Sequence, residues 1–215
     1  MLTVYGRATS SNVQLVMWGL AELGLTCDRL DYGHVHGGLE TPEYGAMNPH
    51  RHVPTLRDGD LVIWESAAIL RYLAAQYGDG GAFWPADPKD RARVDMWAEW
   101  GKIELAKSFT VPIFWTCVRT AARLRDQAVL DRAVAHFDGL LATLGDQLAD
   151  RAYVCGEDLT LADVSIGHLL YRWFAIDIPR APNPAVEAYY DRLTGRPAYR
   201  EHVMVDFSVL RDPEA

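Results

Sequence analysis

The sequence contains no Cys-x-x-Cys pair, because its three cysteines, Cys27, Cys117 and Cys155, are far apart. Without closely spaced thiols, neither a zinc ribbon nor a thioredoxin-type dithiol is available. An odd number of isolated cysteines is typical of reducing compartments, where thiols pack as small apolar groups. We therefore expect no metal site, and cysteines that are structural.

Long apolar runs are also missing. No segment approaches the ~20 apolar residues that a membrane-spanning helix needs. The N-terminal segment MLTVYGRATSS lacks the charged region followed by an apolar stretch that marks a secretory signal. We therefore expect a cytoplasmic protein with no membrane partner.

An excess of basic residues is absent too, since 21 Lys and Arg face 29 Asp and Glu, for a formal net charge of -8. Binding to a nucleic-acid duplex requires a basic surface, so we expect no nucleic-acid partner. A local basic pocket for a small anion is still compatible with this balance. The 215 residues, of which 49% are hydrophobic, suffice for one large domain or two small ones.

The first 78 residues predict strands and helices in the order β-α-β-loop-β-β-α. Short apolar runs at residues 2–5, 27–31, 54–57 and 61–64 are typical of strands, and residues 58–60 between the last two predict a tight hairpin. Helical periodicity covers residues 13–23 and 66–77, with Gly24 as the stop of the first helix. Residues 33–52 predict a loop with one short helix after Pro42.

The rest of the chain predicts helices only. Residues 79–85 are rich in turn formers and predict a linker between a first domain, 1–78, and a second, 86–215. A long helix begins after Asp87, and Pro112 should kink or break it. Further helices are predicted at 127–148, at 161 to about 174, and from Pro184.

Three short segments carry polar side chains at positions suited to a ligand. Between the first strand and helix lie Ser10, Ser11 and Asn12. A helix N-terminus presents unpaired N–H groups and a positive dipole end, which favour an anion such as a phosphate or a thiolate. The alternative is that Ser10 or Ser11 only caps the helix, as serine commonly does.

The second segment is residues 48–56, where Pro54 stands at the start of a strand. A proline there removes a backbone donor, can be cis, and leaves the Val53 main chain free to pair with a peptide-like ligand. Arg51 and His52 just before it could bind a carboxylate. The alternative is an edge-strand proline beside a solvated turn.

In the third segment, Glu65 and Ser66 follow a strand and begin a helix. The acid could accept hydrogen bonds from a ligand ammonium, while the hydroxyl and the helix N–H groups bind its carboxylate. Helix capping alone explains the pair as well.

A fourth segment predicts structure rather than chemistry. Thr160 is an N-cap and Asp163 stands at the third helical position, which forms a capping box, with Leu159 and Val164 as a hydrophobic staple. Asp163→Ala should lower the free energy of unfolding by about 1 kcal/mol or more.

Together, in this order and spacing, the four segments resemble the cytosolic glutathione transferases over nearly the whole chain, and among them the bacterial and serine-type members. The resemblance implies an α/β thioredoxin-like first domain, an all-α second domain, and glutathione as co-substrate. Counting back from Gly24 places Ser10 at the position of the family's activating serine. Other classes of the family use a tyrosine or a cysteine in place of this serine. Tyr5 lies within the strand rather than at that position, and the loop before the helix has no cysteine.

The resemblance implies a role for each site residue. Ser10 would donate a hydrogen bond to the glutathione sulfur, with Asn12 as a second donor and Ser11 as an alternative. The Val53–Pro54 pair would bind the cysteinyl backbone, Glu65 the γ-glutamyl ammonium and Ser66 its carboxylate. His52, or Arg51 in its place, would bind the glycine carboxylate.

The second substrate, a small hydrophobic electrophile, would bind between the domains. The candidate lining residues are Phe109, Ile113, Phe114, Trp115 and Phe207, although core packing explains each of these side chains as well. Members of the family are usually homodimers. Two other functions stay open: a glutathione-dependent disulfide reductase or peroxidase, and a non-catalytic binding or regulatory protein.

Overall fold

The computed structural model describes residues 1–214, and its first part is a four-stranded mixed sheet. The strands are β1 (Leu2–Tyr5), β2 (Cys27–Leu30), β3 (Thr55–Asp58) and β4 (Leu61–Trp64), in the spatial order β2-β1-β3-β4. β1 is parallel to β2 and antiparallel to β3, and β3 pairs with β4 as a hairpin. All four residues of β1 are buried, as expected for a central strand.

Three helices accompany the sheet: α1 (Ser11–Glu22), α2 (Pro42–Met47) and α3 (Ser66–Tyr77). Two glycines take the left-handed backbone that ends a helix or closes a tight turn, with φ of +68° at Gly24 after α1 and +60° at Gly59 in the hairpin. This β-α-β-α-β-β-α order confirms the predicted thioredoxin-like fold class. The predicted strand bounds were off by one residue in β2 and β3.

After α3 the described chain is helical, beginning with α4 (Pro88–Trp100), α5 (Ala106–Phe109) and α6 (Thr116–Arg119). Two π-helical segments, Gly101–Leu105 and Thr110–Trp115, join these helices into one helical run. Of the two predicted effects of Pro112, a break of the helix was therefore wrong, and a kink stays a prediction. The wider turn of the second π segment includes Pro112, and helical backbone continues on both sides.

The remaining helices are α7 (Gln127–Leu148), α8 (Leu161–Gly167), α9 (Leu170–Ala175), α10 (Pro184–Thr194) and α11 (Pro197–His202). α7 has the predicted bounds, and α10 begins at the predicted proline. The single helix predicted from 161 to about 174 was wrong, because a tighter turn at Leu169 divides it. There the Leu169 N–H donates to the Ile166 carbonyl, one residue closer than in an α-helix.

α1 lies between the two parts of the chain and packs on both. Its Trp18 ring meets the Tyr199 ring of α11 edge to face, with the centroids 4.8 Å apart. Gly19 allows close contact with Leu70 of α3, since a Cβ on Gly19 would lie 2.2 Å from Leu70 Cδ1. At the end of α1, Glu22 accepts hydrogen bonds from both Nε and Nη2 of Arg196. The position of α1, and with it the position of its N-terminus, is thus fixed by contacts with the helical region.

The capping box is present at the start of α8. Asp163 Oδ2 accepts hydrogen bonds from the Thr160 N–H at 2.7 Å and the Thr160 hydroxyl at 2.8 Å. Its other oxygen accepts from the Val154 N–H and the Tyr189 hydroxyl, at 2.8 and 2.9 Å. Asp163 is fully buried, and burial raises the pKa of its carboxyl despite these four donors.

Two predictions about the whole chain are left as predictions, namely the domain limits 1–78 and 86–215 and the linker 79–85. Among residues 1–214, no helix is both long and apolar enough to span a membrane.

Candidate active site

A polar pocket of about 190 Å³ lies beside the N-terminal ends of α1 and α3. Its lining consists of Asn12, Asn48, His50, His52, Val53, Pro54, Trp64, Glu65 and Ser66. We call this set the polar pocket. It brings together residues from all three segments that the sequence analysis marked as ligand-binding, including the Glu65–Ser66 pair and the Val53–Pro54 pair.

The loop before β3 is held by two buried side chains below it. The Tyr44 hydroxyl donates to the His52 carbonyl at 2.8 Å, and Asn48 Nδ2 donates to the same oxygen at 2.8 Å. Both side chains also reach the Thr55 hydroxyl. This network fixes the backbone of residues 52–55, where the Val53–Pro54 peptide bond is cis. Sequence reasoning missed Tyr44, because its role depends on packing against a loop eight residues away.

Glu65 has an unusual backbone conformation at the start of α3, with φ +73° and ψ 114°. A positive φ costs a non-glycine residue on the order of 1–3 kcal/mol, and such residues cluster at functional sites. Glu65 makes no side-chain capping bond, and its side chain is exposed at the pocket. The capping interpretation of this pair therefore does not account for its geometry.

Lys102, in the π-helical segment after α4, reaches the pocket residues from the helical region. Its Nζ donates to the Ser66 hydroxyl oxygen at 2.9 Å and to Asn12 Oδ1 at 3.0 Å. Ser66 also donates to Asn12 Oδ1, at 3.3 Å. Burial lowers the pKa of Lys102, and the nearby charges of Glu65 and Glu99 partly offset this effect.

These contacts orient the Asn12 side chain. Its oxygen is occupied by Lys102 and Ser66, so its NH₂ group is the part left to donate to a ligand. Sequence reasoning missed Lys102, since nothing in residues 101–105 distinguishes it from an exposed lysine. Only the packing of two segments 90 residues apart reveals it.

The two serines before Asn12 differ in position. Ser10 is the N-cap residue of α1 with extended backbone, and its side chain makes no capping hydrogen bond. Ser11 is the first residue of the helix. Both are half-buried, and neither lines the polar pocket. The free hydroxyl at Ser10 therefore lies at the positive end of α1, two residues before Asn12.

Arg51 and His52 are separated by the structure. The Arg51 guanidinium donates to the carbonyls of Leu39 and Thr41, at 2.6 and 3.0 Å. It thus ties down the loop before α2, whereas His52 is exposed and lines the pocket. Of the two candidates for a carboxylate-binding residue, the geometry favours His52.

The five residues predicted to line an electrophile site differ greatly in exposure. Phe109, Ile113, Phe114 and Phe207 are at most 5% exposed, and Phe114 packs edge to face on Phe207 with the ring centroids 5.2 Å apart. Trp115 is 41% exposed. Of these five side chains, Trp115 is therefore the one with a large solvent-exposed surface.

The three cysteines lie elsewhere, since none of them lines the polar pocket. Burial raises the pKa of all three thiols, and for Cys155 it raises the pKa to about 11. Thiols of this kind are mostly protonated at neutral pH and react slowly. Within residues 1–214, no cluster of three or more His, Cys, Asp or Glu side chains has the arrangement of a metal site.

Two family models match the chain in sequence order. Residues 4–81 match the model described as "Glutathione S-transferase, N-terminal domain". Residues 127–192 match the model described as "Glutathione S-transferase, C-terminal domain".

Full-length relatives agree with these matches. Glutathione S-transferase GstB of Escherichia coli (strain K12) is 37% identical over 210 residues, which cover 97% of this chain and 100% of the relative. The theta class glutathione S-transferase of Xanthomonas axonopodis pv. citri, solved with glutathione bound, is 40% identical, with a TM-score of 0.89 over 95% of this chain and 98% of that one. A delta-class glutathione transferase of Nilaparvata lugens is 28% identical, with a TM-score of 0.80 over 94% of this chain and 92% of that one.

Proposed function

The chain belongs to the cytosolic glutathione S-transferase family, and we propose that its polar pocket binds glutathione and activates the thiol for transfer to small electrophiles. The observation that carries this proposal is the convergence of Glu65, Ser66 and Asn12 at the N-terminal ends of two helices. Glutathione has an ammonium group, two carboxylates and a thiol, and this set of side chains offers a partner to each kind of group.

The tripeptide would lie along the loop before β3. Val53 precedes the residues of β3 that pair with β1. Its main chain would pair with the cysteinyl residue, so that the tripeptide adds to the sheet as a strand. The Glu65 carboxylate would accept hydrogen bonds from the γ-glutamyl ammonium, and the α3 N-terminus would bind the adjacent carboxylate together with the Ser66 hydroxyl, which would turn from Asn12 Oδ1 to donate to it. His52 would meet the glycine carboxylate.

The sulfur would then lie at the N-terminus of α1. A free thiol has a pKa near ~8.5, so only a few per cent is ionised at pH 7. Lowering this pKa by ~2 units requires about 2.7 kcal/mol of preference for the thiolate. A hydrogen bond from the Ser10 hydroxyl, a second from the Asn12 amide and the helix dipole together suffice. The thiolate attacks the electrophilic carbon, a C–S bond forms, and the leaving group departs with its electron pair.

We also propose that the protein is a cytoplasmic homodimer, which the family resemblance supports. The net charge of -8 supports small molecules rather than nucleic acid as its partners. No cysteine lies between β1 and α1, which favours transfer over a reductase cycle that passes through a mixed disulfide with the protein.

The test is retention on immobilised glutathione, together with a thermal shift at millimolar glutathione and conjugation of 1-chloro-2,4-dinitrobenzene. We expect retention, an increase in Tm and conjugation above the uncatalysed rate. Absence of retention and of any shift would refute glutathione binding. Retention without turnover of any electrophile would instead indicate a binding or regulatory protein.

A further inference from the structure

Three arginines, two of them at the β1–α1 loop, have no acidic partner. Arg7 follows β1, Arg119 ends α6 and Arg172 belongs to α9; we call these residues the arginine cluster. Among residues 1–214, none of the three forms an ion pair with a carboxylate. This is unusual in a chain with eight more acidic than basic residues, where a carboxylate partner is easily supplied.

Arg7 is near enough to each of the other two arginines for their charges to interact. Burial, and then the charge of Arg119, lower the pKa of Arg7. Burial, and then the charge of Arg7, lower the pKa of Arg172 to about 10. Exposed His34 faces the same group, since its pKa is lowered by burial, by Arg7 and by Arg119. The cluster is therefore a local concentration of positive charge within an acidic protein.

Arg172 is held in place with only part of its hydrogen-bonding capacity used. It is 4% exposed, and its Nη2 donates to the Thr9 carbonyl at 2.7 Å and to Gln14 Oε1 at 3.3 Å. The Nε atoms of Arg172 and Arg7 are buried without any hydrogen-bond partner. Burying a cation without a counter-ion costs several kcal/mol. A fold that retains this arrangement leaves donors for an anion that is not part of the protein.

Aromatic rings lie against the same guanidinium groups. The Arg119 guanidinium is 4.6 Å from the ring centroid of Trp115, and that of Arg172 is 4.6 Å from the ring centroid of Phe114. Trp115 is 41% exposed. An arginine stacked on an exposed aromatic ring presents its edge for hydrogen bonding and leaves apolar surface beside it. The Arg119 guanidinium and the Trp115 ring together suit a ligand that is both aromatic and anionic.

The position of the cluster separates it from the glutathione carboxylates. None of its residues lines the polar pocket, in which Glu65, Ser66 and His52 are the proposed partners of the tripeptide. The cluster instead adjoins the loop that carries Ser10, through the hydrogen bond from Arg172 to Thr9. An anion bound by the cluster would thus lie near the sulfur but on the side of the second substrate.

We propose that the arginine cluster binds a carboxylate of the second substrate, so that the preferred electrophiles are aromatic compounds bearing a carboxylate and an activated leaving group. Guanidinium groups bind carboxylates through paired hydrogen bonds, and the ring would pack on Trp115. This inference rests on the proposed transferase function. For a chloronitrobenzoate, the glutathione thiolate attacks the ring carbon, the C–S bond forms, the C–Cl bond breaks, and chloride leaves, while the thiol proton goes to solvent.

The experiment compares two substrates that differ in charge, 4-chloro-3-nitrobenzoate and 4-chloro-3-nitrobenzamide, at saturating glutathione. For the wild type we expect a higher ratio of enzymatic to uncatalysed rate with the carboxylate. Arg119→Gln, at an exposed position, should lower kcat/KM for the carboxylate about tenfold, since a hydrogen-bonded ion pair of this kind is lost. It should change kcat/KM for the amide less than twofold.

Arg123→Gln is the matched control, because Arg123 is also exposed, lies four residues away and is paired with Glu214. Arg123→Gln removes the same net charge and should leave kcat/KM unchanged for both substrates. Equal losses for the two substrates in Arg119→Gln, or the same loss in Arg123→Gln, would overturn the inference. Turnover of the amide without preference for the carboxylate would overturn it while leaving the transferase function intact. Turnover of neither substrate, with no glutathione binding, would refute the transferase function itself.

Discussion

The ammonium nitrogen of Lys102 lies 3.0 Å from the side-chain oxygen of Asn12, and this contact joins the helical region to the first helix of the sheet region. Both residues also contact the Ser66 hydroxyl. The three side chains come from three separate segments, and two of them, Asn12 and Ser66, line the polar pocket that we propose binds glutathione. Any change that separates the two regions should therefore weaken glutathione binding before it affects the sheet itself.

Lys102→Gln should raise the KM for glutathione about tenfold, because Ser66 and Asn12 lose the cation that orients them. Tm should stay the same or increase, since a partly desolvated ammonium group is removed. Steady-state kinetics with varied glutathione, together with thermal unfolding, measure both quantities. Lys107→Gln, at an exposed position five residues along the chain, is the control. An unchanged KM in Lys102→Gln would contradict this role.

Ser10→Ala should lower kcat/KM for conjugation about 100-fold, a typical cost for removing one donor to a developing or stabilised anion. The pH profile should shift upward as well, because the bound thiol loses a hydrogen bond that favours its ionised form. Ser11→Ala is the control, since Ser11 is the first residue inside the helix and we expect nearly normal activity. If Ser11→Ala is the impaired variant, the assignment of the sulfur donor is wrong by one position.

Asp163→Ala should lower the free energy of unfolding by about 3 kcal/mol, more than a simple capping box would contribute. Removal of the carboxylate leaves the Val154 and Thr160 N–H groups and the Tyr189 hydroxyl buried without acceptors. Urea denaturation measures the loss. Asp158→Ala, at a nearby exposed position, should stay within about 0.5 kcal/mol of the wild type. An Asp163→Ala protein of normal stability would show that these hydrogen bonds contribute little.

The free energy of unfolding should fall in mild acid because of His168. This residue is fully buried, and burial together with the charges of Lys102 and Arg172 lowers its pKa from 6.5 to about 3. The contribution of His168 to the free energy of unfolding is complete above pH 6.5 and is lost as the pH falls toward 3. In that range the unfolded chain binds a proton at His168 and the folded protein does not. From pH 7 to pH 5 the loss should be about 2 kcal/mol.

Denaturation at these two pH values, for wild type and His168→Gln, measures the effect. His168→Gln should show a smaller loss between pH 7 and pH 5, whereas exposed His136→Gln should behave like the wild type. The same pH dependence in all three proteins would exclude His168 as its source.

Local patterns in the sequence were enough for most of the fold. The alternation of strand and helix up to Tyr77, the hairpin at Gly59, the capping box at Asp163 and the bounds of α7 each depend on residues near one another. The division of the helix at Leu169 was not predictable, because both sides of the turn are buried and apolar. Pro112 misled for a similar reason, since a π-helical turn depends on the surrounding packing rather than on proline itself.

In the candidate site too, the sequence was enough for residues marked by local patterns but not for those that depend on packing. Glu65, Ser66 and Asn12 were predicted from their places at helix starts, and the structure places all three in the lining of one pocket. Lys102 could not be found in this way, because its role exists only once the π-helical segment after α4 contacts Asn12 at the start of α1. The arginine cluster is also invisible in sequence, since Arg7, Arg119 and Arg172 are far apart along the chain and their charges interact only in the folded protein.

The half-buried cysteines have a consequence for a protein that handles glutathione continually. Exchange with glutathione disulfide begins from a thiolate, and the raised pKa values of Cys27, Cys117 and Cys155 keep that species scarce. We therefore expect these thiols to exchange slowly with glutathione disulfide in an oxidised thiol pool. Its only reactive sulfur would be the one that enters and leaves with each turnover.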